Sequence, residues 1–104
     1  MESGNIGNIG ERHATAWLAN NGFRCHRNTQ LPGSTDIEAV GNSKSLLVQV
    51  KTGMSPNDAP YISAEERRNI IARANRLGRE AWCARVQINF RGELVGQIQW
   101  EKLN

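Results

Sequence analysis

Apolar residues recur at helical spacing early in the chain. Ala14, Trp17 and Leu18, with Thr15 beside them, fall on one stripe, and Asn21-Gly22 supplies a stop, so a helix is predicted over residues 9–21. Alternation then predicts strands over 23–28, 34–40 and 46–51, with loop chemistry at Gln30-Leu31-Pro32-Gly33-Ser34 and a hairpin turn at Gly41-Asn42-Ser43-Lys44. Residues 52–61 hold Gly53, Pro56, Asn57, Asp58 and Pro60 and form the longest loop. A second helix opens on the capping box Ser63-Ala64-Glu65-Glu66, carries Ile70, Ala74 and Leu77 as its apolar stripe, and ends near Gly78 or Arg79. Strands over 82–90 and 94–100, joined at Arg91-Gly92, close the chain. The order is α-β-β-β-α-β-β, a sheet with helices on its faces.

The length of 104 residues fits one domain, and such a domain buries roughly 60–70% of its unfolded surface without needing staples. No run approaches the roughly 18 apolar residues of a membrane span. Met1-Glu2-Ser3-Gly4-Asn5 lacks the basic start and apolar middle of a signal peptide, so a soluble cytoplasmic protein is expected.

Thirteen basic residues against ten acidic ones leave a net charge of +3, a modest excess. The composition of that excess says more: ten of the thirteen are arginine, whose planar fork matches phosphate oxygens better than a lysine point charge does. Half of them lie between Arg67 and Arg79, where a solvated face interleaved with Glu65, Glu66 and Glu80 is the simpler reading. Cys25 and Cys83 form no metal-binding spacing with His13 and His26, and are read as two small buried hydrophobes. Trp17 and Trp82 are read as core, and Trp100 as either core or a dimer contact.

The third predicted strand, Leu46-Leu47-Val48-Gln49-Val50-Lys51, carries the chemistry. Leu46, Val48 and Val50 face one way, and Leu47, Gln49 and Lys51 the other. Antiparallel pairing across the hairpin turn brings Asp36 toward the end that carries Gln49 and Lys51. Glu11 falls three residues before Ala14 and seven before Leu18, on the inward stripe of the first helix, where a carboxylate needs a partner. An arginine is one such partner. A hard divalent ion such as Mg²⁺ or Mn²⁺, held by Glu11 and Asp36, is another. Lys51 beside it would activate a water or stabilise charge building on a phosphate.

In this order (helix glutamate, aspartate, then Gln-x-Lys on one strand) the chain resembles the PD-(D/E)xK nuclease superfamily. Gly10-Glu11-Arg12, Gly22-Phe23, Arg27, Asp36, Gln49-Val50-Lys51, Ser63-Ala64-Glu65-Glu66 and Gly78 are most similar to the archaeal-type Holliday junction resolvases. The resemblance covers residues 10–90. It implies a restriction-endonuclease-like fold with a central mixed five-stranded sheet flanked by helices. It implies a Mg²⁺- or Mn²⁺-dependent endonuclease of DNA recombination and repair, cutting branched DNA as a homodimer. Glu11, Asp36, the Gln49 side chain and the Val50 carbonyl would surround the metal, with Lys51 catalytic. Arg12 and Arg27 would hold phosphates, joined by Arg24. Most resolvases carry an acid where this chain has Gln49, whereas Mrr-type restriction endonucleases use glutamine there. Glu38, two residues beyond Asp36, is a candidate for the missing carboxylate. The alternative function is a catalytically weak or inactive DNA-binding module of the same fold.

Overall fold

The computed structural model describes residues 5–27 and 36–104. The expected strand ends at Asn28 and Ser34, and the loop between them, lie outside the described residues. The elements are α1 (Asn5–Asn20), β1 (Arg24–Arg27), β2 (Asp36–Gly41), β3 (Lys44–Met54), α2 (Ala64–Leu77), β4 (Glu80–Ile88) and β5 (Gln99–Lys102). They follow the expected order. The strands form one five-stranded sheet in the order β1-β2-β3-β4-β5. Its neighbours are antiparallel except β3 and β4, which run parallel and therefore need the α2 crossover between them. None of the described helices is long and apolar enough to cross a membrane.

Each face of the sheet carries its own core. On one side Ala14 and Leu18 of α1 pack on Ile37, Ala39, Leu46, Val48 and Val50, joined by Ala84, Val86 and Ile88. On the other, Ile70 and Ala74 of α2 pack on Leu47, Ala81 and Cys83. Alternation along β3 sorts its side chains between the two layers, which is why Leu46 through Val50 are all buried. The β2–β3 hairpin turns through Asn42 and Ser43, with φ of 52° and 62°. Positive φ at both central residues matches the twist of the flanking strands and sets a register in which Asp36 lies opposite Gln49.

Several boundaries differ from the sequence pattern. Helix α1 starts a turn earlier than predicted, because Ile6 and Ile9 also pack on the core. Strand β3 runs on to Met54 instead of stopping at Lys51, held by parallel pairing through Met54 and Ile88. β4 is shifted two residues toward the N-terminus of its predicted span, starting two residues after the left-handed Gly78 that caps α2. The last strand is shorter than predicted and displaced toward the C-terminus, at Gln99–Lys102, preceded by a lone bridge from Ile88 to Leu94. Gly92 and Gly96 adopt positive φ there and break the extended run.

Some side chains also depart from their expected places. Leu77 is 55% exposed, because the sheet contact of α2 ends at Ala74. Trp17 is 42% exposed, and its ring lies 4.8 Å from that of Trp100 in a tilted pair. Cys83 is buried, whereas Cys25 on edge strand β1 is only partly so, and burial raises both thiol pKa values.

Candidate active site

Two polar constellations occupy opposite faces of the sheet. The first is built by α1. Gly10 lets the helix approach β3 so closely that an added Cβ would lie 1.8 Å from Thr52 Oγ1. The next residue, Glu11, is thereby pressed into the interface and is 5% exposed. Its Oε1 accepts a hydrogen bond from Arg27 Nη2, which also donates to Asn8 Oδ1 at 2.9 Å. Arg27 pairs in register with Ile37, a residue of the α1-side core, so it reaches Glu11 on that face. The buried carboxylate foreseen on the helix stripe therefore has an arginine as its ionic partner.

The second constellation lies on the α2 face at the C-terminal end of β3. Ser63 caps α2: its Oγ accepts from the Glu66 backbone N–H at 3.1 Å, while Glu66 Oε1 accepts from the Ser63 backbone N–H at 3.0 Å. That reciprocal bond fixes one carboxylate oxygen and turns the other toward the strand. Oε2 of Glu66 accepts from Lys51 Nζ at 2.5 Å and from Gln49 Nε2 at 3.4 Å. The Lys51 ammonium is the main reason that the Glu66 carboxyl is held below its ordinary range; partial burial opposes the shift and the Ser63 bonds assist it. Arg67 Nη2 donates to Glu101 Oε2 at 3.1 Å and ties the first turn of α2 to β5.

Other residues frame this cluster. Asp36 sits opposite Gln49 in the β2–β3 register. On β4, Cys83 is level with Gln49 and Arg85 with Lys51. Arg85 donates to the Ala59 carbonyl at 2.6 Å and to Gln99 Oε1 at 2.7 Å, and its guanidinium lies 3.8 Å from the centre of the Tyr61 ring. Val50, between Gln49 and Lys51, sends its side chain into the opposite core.

The structure thus joins Gln49 and Lys51 through the Glu66 carboxylate, sets Asp36 in register opposite Gln49, and gives Glu11 a separate partner in Arg27. Arg12 and Arg24 are exposed. Glu38 Oε2 stands 2.6 Å from His26 Nε2, and Oε1 stands 3.9 Å from Arg79 Nη1. Among the described residues no three His, Cys, Asp or Glu side chains gather as a metal-binding group. The sequence context places Glu66 on a solvated outer face, yet its carboxylate turns toward Gln49 and Lys51. The signal was available in the capping box, which makes the fourth residue of Ser63-Ala64-Glu65-Glu66, and not the third, the one that folds back toward its own N-terminus.

No family model matches the sequence, and no curated protein matches it. Among solved structures, the chain is similar to Hjc, a Holliday junction resolvase of Archaeoglobus fulgidus, with a TM-score of 0.70. The fold is restriction-endonuclease-like. Identity to that structure is 24%, over 93% of this chain and 72% of the other. In this resolvase-like nuclease fold, the helix–sheet order and the mixed sheet of the present chain are those expected from its sequence.

Proposed function

We propose that this protein is a divalent-metal-dependent endonuclease of the PD-(D/E)xK type, in its Gln-x-Lys form, which hydrolyses phosphodiesters in branched DNA. The observation that carries the reading is the convergence of Gln49, Lys51 and Glu66 at one end of β3, with Asp36 opposite Gln49, in a resolvase-like fold. The donor chemistry fits Mg²⁺ or Mn²⁺: carboxylate, amide and backbone carbonyl oxygens, with nothing softer needed. Asp36, the Gln49 side chain and the Val50 carbonyl would hold the ion; Glu11, expected among the ligands, lies on the α1 face with Arg27 as its partner. A bound cation would supply a more acidic water and neutralise charge on the phosphoryl oxygens.

The protein's own part is positional and electrostatic. Lys51 is half-buried and already oriented by Glu66, so its ammonium can fix an attacking water or the phosphate it approaches. The water oxygen forms the new bond to phosphorus in line as the P–O bond to the leaving sugar oxygen breaks. Arg12, Arg24 and Arg27 would hold the flanking backbone, giving affinity that is largely independent of sequence. A homodimer would present two such sites to two strands.

The test is cleavage of linear duplex, flap and four-way junction DNA by the purified protein, with and without Mg²⁺ or Mn²⁺. Metal-dependent cutting of the branched substrates is expected, and Lys51→Ala should abolish cutting while DNA binding persists. Full cleavage by Lys51→Ala would overturn the mechanism.

A further inference from the structure

We propose that Glu66 supplies the metal-binding carboxylate that the Gln49 position lacks, so that the cation is held between β2, β3 and the first turn of α2. This rests on the metal-dependent reading above and assigns one of its ligands. A glutamine at position 49 brings an oxygen but no charge, and of the two acids on β2 only Asp36 lies opposite Gln49; Glu38 lies opposite Leu47 and is paired with His26. A second acid in reach of Gln49 is therefore the question on which metal affinity turns.

The contacts of Glu11, Glu38 and Glu101 lead elsewhere. Glu11 is on the α1 face and bonded to Arg27. Glu38, on β2, is committed to His26 with Arg79 behind it. Glu101, on β5, accepts from Arg67. Glu66 alone among the described carboxylates has contacts to both Gln49 and Lys51.

Its position is also set before any metal arrives. Oε1 is tied to the Ser63 backbone N–H by the capping box, so the carboxylate is held by its own helix, and Oε2 is presented to β3. A cation already stands on that oxygen, the Lys51 ammonium at 2.5 Å. A divalent ion bound by Asp36, Gln49 and Glu66 would take over Oε2 and release Lys51 toward the substrate. Metal loading and activation of the lysine would then be one event.

Calorimetric titration with Mn²⁺ alone, on the full chain without DNA, tests this. Glu66→Gln keeps the capping box, since glutamine serves at that position, and a thermal melt will confirm folding. Its Mn²⁺ affinity should fall at least about tenfold, as expected for loss of a ligating charge. Glu38→Gln should leave affinity within about twofold. Returning the acid to the strand, with Gln49→Glu in the Glu66→Gln background, should recover most of the loss. Wild-type affinity in Glu66→Gln, with Asp36→Asn impaired, overturns this inference and leaves the metal-dependent nuclease standing. Absence of Mn²⁺ binding by the unaltered protein overturns both.

Discussion

Arg27 on edge strand β1 donates a hydrogen bond to the buried carboxylate of Glu11 on α1, and so pins the helix to the strand 16 residues away. The Glu11 side chain is 7% exposed and that of Arg27 is 42% exposed. The asymmetry decides what substitution does. Arg27→Ala strands a buried charge, which should cost on the order of 1–3 kcal/mol, with the lower part favoured because water reaches the arginine side. Glu11→Gln removes the charge and keeps an acceptor, so it should cost less. Urea unfolding followed by tryptophan fluorescence will rank the two, and Arg27→Ala milder than Glu11→Gln would mean that the pair is solvated.

Gly10 and Thr52 form a close approach of α1 to β3 one residue before Glu11. An added Cβ would lie 1.8 Å from Thr52 Oγ1 and 2.9 Å from Thr52 Cβ, so rotating the threonine side chain cannot make room. Gly10→Ala must lift the helix and should destabilise by about 1–3 kcal/mol despite alanine's better helix propensity. Thr52→Ala removes Oγ1 and Cγ2 and leaves only the Cβ contact. The double variant Gly10→Ala/Thr52→Ala should therefore recover part of the loss, a coupling that a double-mutant cycle measures directly. Strict additivity would show that the two residues do not obstruct one another.

Much of this architecture is legible from the sequence because it depends on local pattern. The Ser63 capping box, the αL stop at Gly78 and the alternation in β3 are each set by residues within a few positions of one another. The hairpin register that puts Asp36 opposite Gln49 follows from the short turn at Asn42-Ser43. What depends on contacts across the fold is less legible. The sequence places Glu11 on the inward stripe, but which cation meets it is decided by the distance from α1 to β1. Glu66 reads as one of several helix-surface acids until the parallel crossover brings the start of α2 against the end of β3. Leu77 continues the apolar spacing of α2 and is still exposed, because the sheet has no surface left to cover it.

The Glu66–Lys51 pair makes stability depend on acid pH with a definite sign. The Glu66 carboxyl is held below its ordinary value of 4.5, chiefly by the Lys51 hydrogen bond. A group with a lowered folded-state pKa contributes stability that is fully present above the unfolded value and is lost as pH falls through the folded one. Stability should thus be insensitive to this pair above about pH 5 and decline below 4.5. Lys51→Met should move the Glu66 pKa upward and flatten that part of the profile. Carboxyl-carbon NMR titration reads the shift, and denaturant midpoints from pH 3 to 6 or thereabouts read the flattening. An unmoved Glu66 titration in Lys51→Met would show that the lysine does not control it.

DNA affinity should carry a salt signature traceable to single arginines. A protein that neutralises phosphates releases counterions, so the logarithm of the binding constant falls with the logarithm of salt concentration by about 0.9 per phosphate contact on duplex DNA. Arg12 and Arg24 are the informative positions, because both are exposed and neither is tied to a buried carboxylate as Arg27 is. Arg12→Ala and Arg24→Ala should each weaken binding to a labelled four-way junction and lower the salt slope by about 0.9, with little change in thermal stability. Arg27→Ala should alter both affinity and stability, since it also releases Glu11. Fluorescence anisotropy between roughly 50 and 200 mM KCl separates these cases. A slope unchanged by Arg12→Ala and Arg24→Ala would place the phosphates elsewhere, with the exposed Arg68 and Arg76 of α2 the next positions to substitute.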